Sequence, residues 1–385
     1  MKIVHVFIFY SIKYAGGTSD LMYKIAKAQV DSGKNVEIWT GNYNLDDELV
    51  DLSPFKVKIF KSFFDKQGLS IMPSLFFYAI FNLKKDDIIH FHVIRTFQNL
   101  ILYIVARLKG INYVIDAHGA VPIHKKKKIL KNIYDFFIGN NFIKNANSII
   151  AESKIGAEEY NASYKFLDYK NIDILSPPFD VSDYKDIQKK YDFDFRKKNQ
   201  ISRKEFVITF LGRIHEIKGV DILIKFFNEI LVSNSNFRLC IVGSDDGHLN
   251  YCKKLIKNYN IEKYTYFLGF MSGDEKNQCL TDSNVVVQLS RFEQGAWAPI
   301  EAVLCGTPII VSSHTGAGED VKRLKAGYTV SIDTPNEFIR AINEIKNNEL
   351  EAKNITLNAR DFIIKYMSFD ARVGEYYKLY NKNSN

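Results

Sequence analysis

The chain has 385 residues, 46% of them hydrophobic and 25% charged, with a formal net charge of +8. This composition excludes a disordered chain, and 8 prolines and 21 glycines leave no room for a long low-complexity linker. The length favours two domains of roughly 150–200 residues each over a single core, and the mild basic excess is compatible with nucleic acid, anionic lipid or a phosphorylated substrate without choosing among them.

At the N-terminus, Met1-Lys2-Ile3-Val4 enters a strand-like run at once and no small-residue cleavage site follows, which argues against a signal peptide. A strand is expected over Lys2–Tyr10. Gly16-Gly17 breaks it, and Thr18 or Ser19 offers a cap for a helix through Asp31 with Leu21, Ile25 and Ala28 on one face. Gly33 ends that helix. Further strands are expected at Val36–Thr40, Ile88–Val93, Tyr113–Ala117 and Ser148–Ala151. The longest apolar runs, Leu75–Phe81 and Leu100–Ala106, are seven residues each, well short of the ~20 a bilayer requires.

His124-Lys125-Lys126-Lys127-Lys128 opens a helical stretch carrying Ile129, Ile133, Phe136 and Phe137. One reading is a wet basic end and a core face. The other is docking of Lys125–Lys128 on anionic lipid, each lysine contributing ~1 kcal/mol near the surface. Ser176-Pro177-Pro178 can continue neither a helix nor a central strand, so the hinge is expected there, followed by the polar stretch Tyr184–Lys204.

The second half repeats the alternation. Strands are expected at Phe206–Leu211, Arg238–Val242, Tyr264–Leu268, Val285–Leu289 and Pro308–Ser312, with helices such as Val220–Leu231 and Leu249–Tyr259 between them. The end is helical and charged, with a stripe of Val373, Tyr376, Tyr377, Leu379 and Tyr380 that reads as core packing. Strands alternating with helices imply parallel sheets covered on both faces, which place ligands at the carboxyl ends of the strands. The four cysteines, Cys240, Cys252, Cys279 and Cys305, form neither CxxC pairs nor metal-ligand spacings and read as buried thiols of a reducing cytoplasm.

Two segments carry chemistry. The first runs Phe210-Leu211-Gly212-Arg213-Ile214-His215-Glu216-Ile217-Lys218-Gly219-Val220. It leaves a strand and opens a helix, and sets two cations, Arg213 and Lys218, beside free helix N–H groups, a combination suited to an anion. The second runs Glu293-Gln294-Gly295-Ala296-Trp297-Ala298-Pro299-Ile300-Glu301, continuing to Cys305-Gly306-Thr307-Pro308. Glu293 falls in a loop after a strand, and Pro299 suits the first turn of a helix, which places Glu301 inside that turn. Carboxylates so placed accept hydrogen bonds from sugar or ribose hydroxyls.

In this order and spacing the two segments, G-R-x(4)-K-G and E-x(7)-E followed by C-G-T-P, resemble the retaining glycosyltransferases of family 4, the group 1 transferases of the GT-B fold. The resemblance implies an α/β chain of two Rossmann-like domains with a deep inter-domain cleft: an acceptor-binding domain at 1–175, a nucleotide-sugar donor-binding domain at 176–368, and a C-terminal helix, 369–385, returning to the first. It implies that Arg213 and Lys218 bind the donor diphosphate, that Glu301 holds the ribose, and that Glu293 contacts the transferred sugar with the N–H groups of Gly295, Ala296 and Trp297. Gly16 and Gly17 match the family loop that approaches phosphates and acceptor. His118, in Asp116-Ala117-His118-Gly119, matches the histidine that meets the donor sugar. Gly212 and Gly243 match glycine turns near the nucleotide. The family reads E-G-F-G at its first glutamate. Here Gly295 replaces the aromatic and Ala296 the second glycine, with Trp297 beyond, so the sugar pocket is expected to differ in shape.

No metal site is expected: Asp192-Phe193-Asp194 is a chance DxD in the hinge, and Asp245-Asp246-Gly247 is half of a calcium loop lacking the rest. The implied reaction transfers a sugar, with retention, from a nucleoside-diphosphate sugar to a hydroxyl of a glycan or polyprenyl-linked acceptor. It is expected in the cytoplasm or at the inner face of the plasma membrane, in bacterial surface polysaccharide synthesis, with no cofactor and no nucleic-acid partner. A binding subunit without turnover and a nucleotide-sugar epimerase are the alternatives.

Overall fold

The computed structural model describes residues 1–11, 17–66, 69–121, 128–184, 187, 194–233, 235–293, 295 and 297–382. The chain divides into two compact units, Met1–Pro178 with Phe369–Asn385, and Phe179–Ser368.

The first unit is built on seven parallel strands: β1 (Ile3–Val6), β2 (Val36–Gly41), β3 (Lys56–Phe60), β6 (Ile88–His92), β7 (Asn112–Asp116), β8 (Ser148–Ala151) and β9 (Ile172–Ile174), ordered β3-β2-β1-β6-β7-β8-β9. A two-stranded antiparallel hairpin, β4 (Phe64–Lys66) and β5 (Leu69–Ile71), stands apart from it. Its helices are α1 (Gly17–Asp31), α2 (Asp47–Asp51), α3 (Ser74–Asn82), α4 (Phe97–Lys109), α5 (Lys128–Tyr134), α6 (Asn140–Lys144), α7 (Lys154–Ser163) and, from the end of the chain, α16 (Phe369–Tyr380). The second unit holds β10 (Phe206–Leu211), β11 (Phe237–Val242), β12 (Thr265–Gly269), β13 (Val285–Gln288), β14 (Ile309–Ser312) and β15 (Tyr328–Val330), all parallel in the order β12-β11-β10-β13-β14-β15. Its helices are α8 (Asp194–Lys198), α9 (Val220–Ser233), α10 (Leu249–Asn258), α11 (Gly273–Asp282), α12 (Trp297–Leu304), α13 (Gly316–Leu324), α14 (Asn336–Asn347) and α15 (Glu349–Tyr366). The central strands are buried along their whole length, as parallel strands covered by helices must be. Strand order reverses between β1 and β6 and between β10 and β13, and each reversal opens a crevice at the strands' carboxyl ends. Among the described residues no helix is long and apolar enough to cross a membrane.

Several expectations are corrected. The first strand stops at Val6; Phe7, Ile8 and Tyr10 are buried because they pack into the core beneath α1 and α16, not because the sheet continues. The edge strand β3, Lys-Val-Lys-Ile-Phe, carries lysines that blunt an open edge, and this masks its strand character in the sequence. In the polar stretch Tyr184–Lys204, Phe195 and Ile201 lie in the core of the second unit. Within that stretch buried Arg196 donates to the carbonyls of Asp282 at 2.7 Å and Glu205 at 2.8 Å.

The expected core face after the lysine run is also overturned, since Ile133, Phe136 (73% exposed) and Phe137 (69%) face outward. A π-helical turn over Asp135–Gly139 rotates the helix, so that Asp135, Gly139, Phe142 and Ile143 turn inward instead. Asp135 is held there by Arg95 Nε at 3.0 Å and Nη2 at 2.8 Å. Lys125–Lys127 and the side chains of Lys128 and Ile129 lie outside what is described.

In α16, Tyr376 and Tyr380 are buried against the first unit. The Tyr380 hydroxyl accepts from Gln29 Nε2 at 2.8 Å, and the Tyr377 and Ser32 hydroxyls share a hydrogen bond of 2.7 Å. The four cysteines are buried free thiols, and burial pushes Cys240, Cys252 and Cys305 up to about 12.

Candidate functional site

In the second unit the site residues gather where β10, β11 and β13 end. Gly212 and Gly243 follow β10 and β11 with φ of 153° and 151°. A Cβ on Gly243 would lie 1.8 Å from the Gly212 carbonyl oxygen, so the two turns approach closely only because Gly243 lacks a side chain. Backbone bonds then join the loops: Ile214 N donates to Ser244 O at 2.8 Å and Asp246 N to Ile214 O at 3.1 Å. Gly219, at φ 68°, presses against the end of β13, where a Cβ would meet Leu289 O at 1.8 Å.

This packing brings the cations to carboxylates. Lys218 Nζ pairs with Glu293 Oε2, and both side chains are largely buried. Arg213 Nη1 pairs with Asp246 Oδ2 in a more exposed bridge. The loop that carries Glu293 is fixed from two sides: Gly316 N, at the start of α13, donates to the Glu293 carbonyl at 2.8 Å, and Arg291 N donates to Ile217 O at 2.8 Å. Arg291 also grips buried Asp221 bidentately at 2.8 and 2.6 Å. Burial alone would raise the Asp221 carboxyl, but Arg291 outweighs it and holds it below its ordinary value.

Helix α12 begins at Trp297, so Pro299 lies in its first turn as expected, where the N–H that proline lacks would have had no intrahelical acceptor. Glu301 therefore opens the second turn, not the first, and pairs with Lys276 Nζ at 2.9 Å on α11. The Trp297 ring packs on Phe179 with centroids 5.4 Å apart. A Cβ on Gly295 would stand 3.6 Å from Trp297 Nε1 and 3.7 Å from Asp320 Oδ2, ordinary contact distances. Ala296 and Gln294 lie outside the described residues, as do Gly16 and Asp192-Phe193.

Two of the described site residues belong to the first unit. Gly17 opens α1, and nothing lies within 4 Å of where its Cβ would be. His118 follows β7 with φ 45°. Both its ring nitrogens are engaged inside the unit: Nδ1 lies 2.9 Å from Glu152 Oε1 and Nε2 lies 2.8 Å from His92 Nδ1. The ring thus has no free nitrogen to present, and what it can offer a ligand is charge and its backbone.

The structure therefore joins Lys218 with Glu293 and Gly212 with Gly243, and hands Glu301 to Lys276. The sequence reading missed Asp246 as a counter-ion, Lys276, the Arg291–Asp221 clamp, and the partners of His118. Their partners are 25 to 70 residues distant, so no local spacing signals them.

Two doubly wound parallel sheets, with cations and glycine turns at the strand ends of the second, make up the two-unit GT-B architecture. Residues 15–183 match the family model described as Glycosyltransferase Family 4, and residues 192–362 the one described as Glycosyl transferases group 1. The chain belongs to these group 1, family 4 glycosyltransferases. An uncharacterized glycosyltransferase of Methanocaldococcus jannaschii is 26% identical over 80% of this chain and 78% of its own length. A second one from the same organism is 29% identical, but the match spans 46% of this chain and 45% of that relative. The N-acetyl-alpha-D-glucosaminyl L-malate synthase of Bacillus anthracis is 27% identical over 52% of this chain and 55% of its own. Among solved structures, Anabaena HepE in complex with UDP superposes with a TM-score of 0.77 at 18% identity, over 98% of this chain and all of that one, a likeness of fold.

Proposed function

We propose that this glycosyltransferase moves a sugar, with retention, from a nucleoside-diphosphate sugar to a hydroxyl of a glycan or lipid-linked glycan, without a metal ion, in bacterial surface polysaccharide synthesis. The observation that carries the reading is the Lys218–Glu293 pair at the strand-order reversal of the second sheet. In it a cation fit for a leaving phosphate and a carboxylate fit for sugar hydroxyls neutralise each other. The donor would exchange these partners. Its diphosphate takes Lys218 and Arg213 from Glu293 and Asp246, and the freed Glu293 carboxylate accepts from the sugar hydroxyls. Glu301 holds the ribose, and the backbone N–H groups of Gly295, Ala296 and Trp297 orient the sugar. Charge developing on the leaving phosphate is met by groups already in place. With no nucleophile assigned to the far face of the sugar, the leaving phosphate takes the acceptor proton and the new bond forms on the face it leaves. HepE was solved with UDP and with UDP-glucose, which supports a nucleotide-sugar donor here.

The outward-facing Ile133, Phe136 and Phe137 beside the lysine run support docking of Lys125–Lys128 on an anionic cytoplasmic membrane surface. Liposome flotation tests this: Lys125–Lys128 changed to serine should lose binding to anionic vesicles, and unchanged flotation refutes it. For the reaction, purified protein without added metal is offered UDP-, GDP- and ADP-sugars and released nucleoside diphosphate is measured, beside Glu293→Ala and Lys218→Ala. Release from one donor, lost in both variants, is expected. Binding of a donor without release in the presence of glycan acceptors would point to a binding subunit instead.

A further inference from the structure

The core of the first unit holds four histidines in one hydrogen-bonded line. From Glu152 the line runs to His118 (2.9 Å), His92 (2.8 Å), His5 (2.8 Å) and Gln29 Oε1 (2.8 Å), then from Gln29 Nε2 to the Tyr380 hydroxyl (2.8 Å) and on to His90 Nδ1 (3.0 Å). It crosses from β8 through β7, β6 and β1 to α1 and α16. His5, His90 and His92 are fully buried. The rings of His92 and His118 stack 5.1 Å apart at 6°. The backbone is strained on either side of that stack: Val93 has φ 67° and His118 φ 45°, a region disfavoured for any side chain and most of all for a β-branched one. Strain of this kind is retained where the surroundings hold it for a purpose.

Each nitrogen–nitrogen contact needs one hydrogen, and this fixes the order of the line. Gln29 Oε1 requires hydrogen on His5 Nε2, which leaves His5 Nδ1 bare. His92 must then donate from Nε2, leaving its Nδ1 bare, and His118 must donate from Nε2. His118 Nδ1 still faces a carboxylate, so a second proton belongs there. We propose that Glu152, His118, His92, His5 and Gln29 form a one-directional hydrogen-bond chain that holds His118 as an imidazolium, with His92, His5 and Glu152 as positioning residues for its charge.

The electrostatics agree. Burial would lower His118, but Asp116 and Glu152 outweigh it and the net displacement is upward. Burial drives His5 down to about 4 and His90 and His92 well below their ordinary value, so these rings stay neutral links. The other titratable groups facing the line are Tyr160 on α7 and Tyr376 and Tyr380 on α16, all raised mainly by burial, with Arg372 beside Tyr376. His5, His90 and His92 also have ring nitrogens within 4.8 Å of one another. Two ligands around zinc, with bonds of 2.0–2.1 Å, stand about 3.3 Å apart; the 2.8 Å between His5 and His92 is a hydrogen-bond length. The consequence for catalysis, a fixed positive charge contributed by the first unit, rests on the proposed function; the order of the hydrogens does not.

Ring ¹⁵N NMR of the full chain, labelled at histidine and titrated upward from pH 6, decides the matter. At pH 7, His118 is expected to be doubly protonated, with His5 and His92 neutral and carrying hydrogen on Nε2. When His118 loses its proton, His92 and His5 must move theirs to Nδ1 at the same midpoint. A neutral His118 at pH 7, tautomers that do not move with it, or one equivalent of zinc retained after chelation would each overturn the proposal. Glu152→Gln is expected to leave His118 neutral at pH 7 without changing the His5 and His92 tautomers, because the amide donates where the carboxylate accepted. If that variant does not fold, the wild-type titration stands alone. In a donor-turnover assay the variant should lose about tenfold in kcat with little change in KM, and lose the alkaline limb set by His118. Turnover by neither protein refutes the functional reading and leaves the NMR result to decide the chain.

Discussion

Gly212 and Gly243 meet backbone to backbone where β10 and β11 end, with the Gly212 carbonyl oxygen where a Gly243 Cβ would have to be, 1.8 Å from it. Neither loop can relax alone, since Ile214 and Asp246 are tied across the same gap. Gly243→Ala should destabilise the protein by about 2 kcal/mol or more and displace the Arg213 loop. Chemical denaturation and nucleoside-diphosphate titration check this, and a wild-type midpoint with wild-type affinity would contradict it.

Arg213 is neutralised by Asp246 in an exposed pair. Exposed pairs contribute little to stability, about 0–1 kcal/mol. Asp246→Asn should therefore leave the denaturation midpoint nearly unchanged while tightening nucleoside-diphosphate binding several-fold, because the guanidinium no longer has to leave a carboxylate. Calorimetry at two salt concentrations would show the gain shrinking as salt rises.

Glu293 is tied to Lys218 and, more weakly, to Ser290 Oγ at 3.5 Å. Glu293→Gln keeps the shape and removes the charge. Under the proposed function kcat should fall about 10²–10³-fold, the scale of a lost preorganised contact. A nucleotide dissociation constant within a few-fold of wild type would separate this loss from a loss of donor binding.

The buried histidines make the protein acid-sensitive. His5, lowered to about 4, and His90 and His92, lowered further, take up protons in the unfolded chain near 6.5 but not in the folded one, so their stabilisation is lost as pH falls below about 6.5. Asp116, raised by burial to about 6, acts oppositely and offsets one of these three protons. His118, raised, is already protonated in the folded state while the unfolded chain takes up its proton near 6.5, so it opposes the slope slightly near pH 6 and adds nothing by pH 5. Stability should drop on the order of 2–3 kcal/mol per pH unit between about pH 6 and 5. Urea midpoints that stay flat from pH 7 to 5 would show that these rings are hydrated in the folded state.

The sequence by itself determined the alternation of strands and helices, the parallel character of both sheets and the two charged segments after β10 and β13. These are local: hydrophobic runs of strand length, glycines after them, and cations or carboxylates at fixed spacing along one loop. Strands β3, β9 and β15 escaped because edge strands are short and half polar, and their pairing depends on neighbours far along the chain. The outward turn of Phe136 and Phe137 escaped because a π turn resets helical phase, and periodicity assumes a constant phase. Only the tertiary structure decided that Lys218 answers Glu293, that Glu301 answers Lys276, and that His5, His92 and His118 share one line of hydrogen bonds. Parallel strands joined by crossover helices place residues dozens of positions apart side by side, and nothing in a linear spacing records which ones meet.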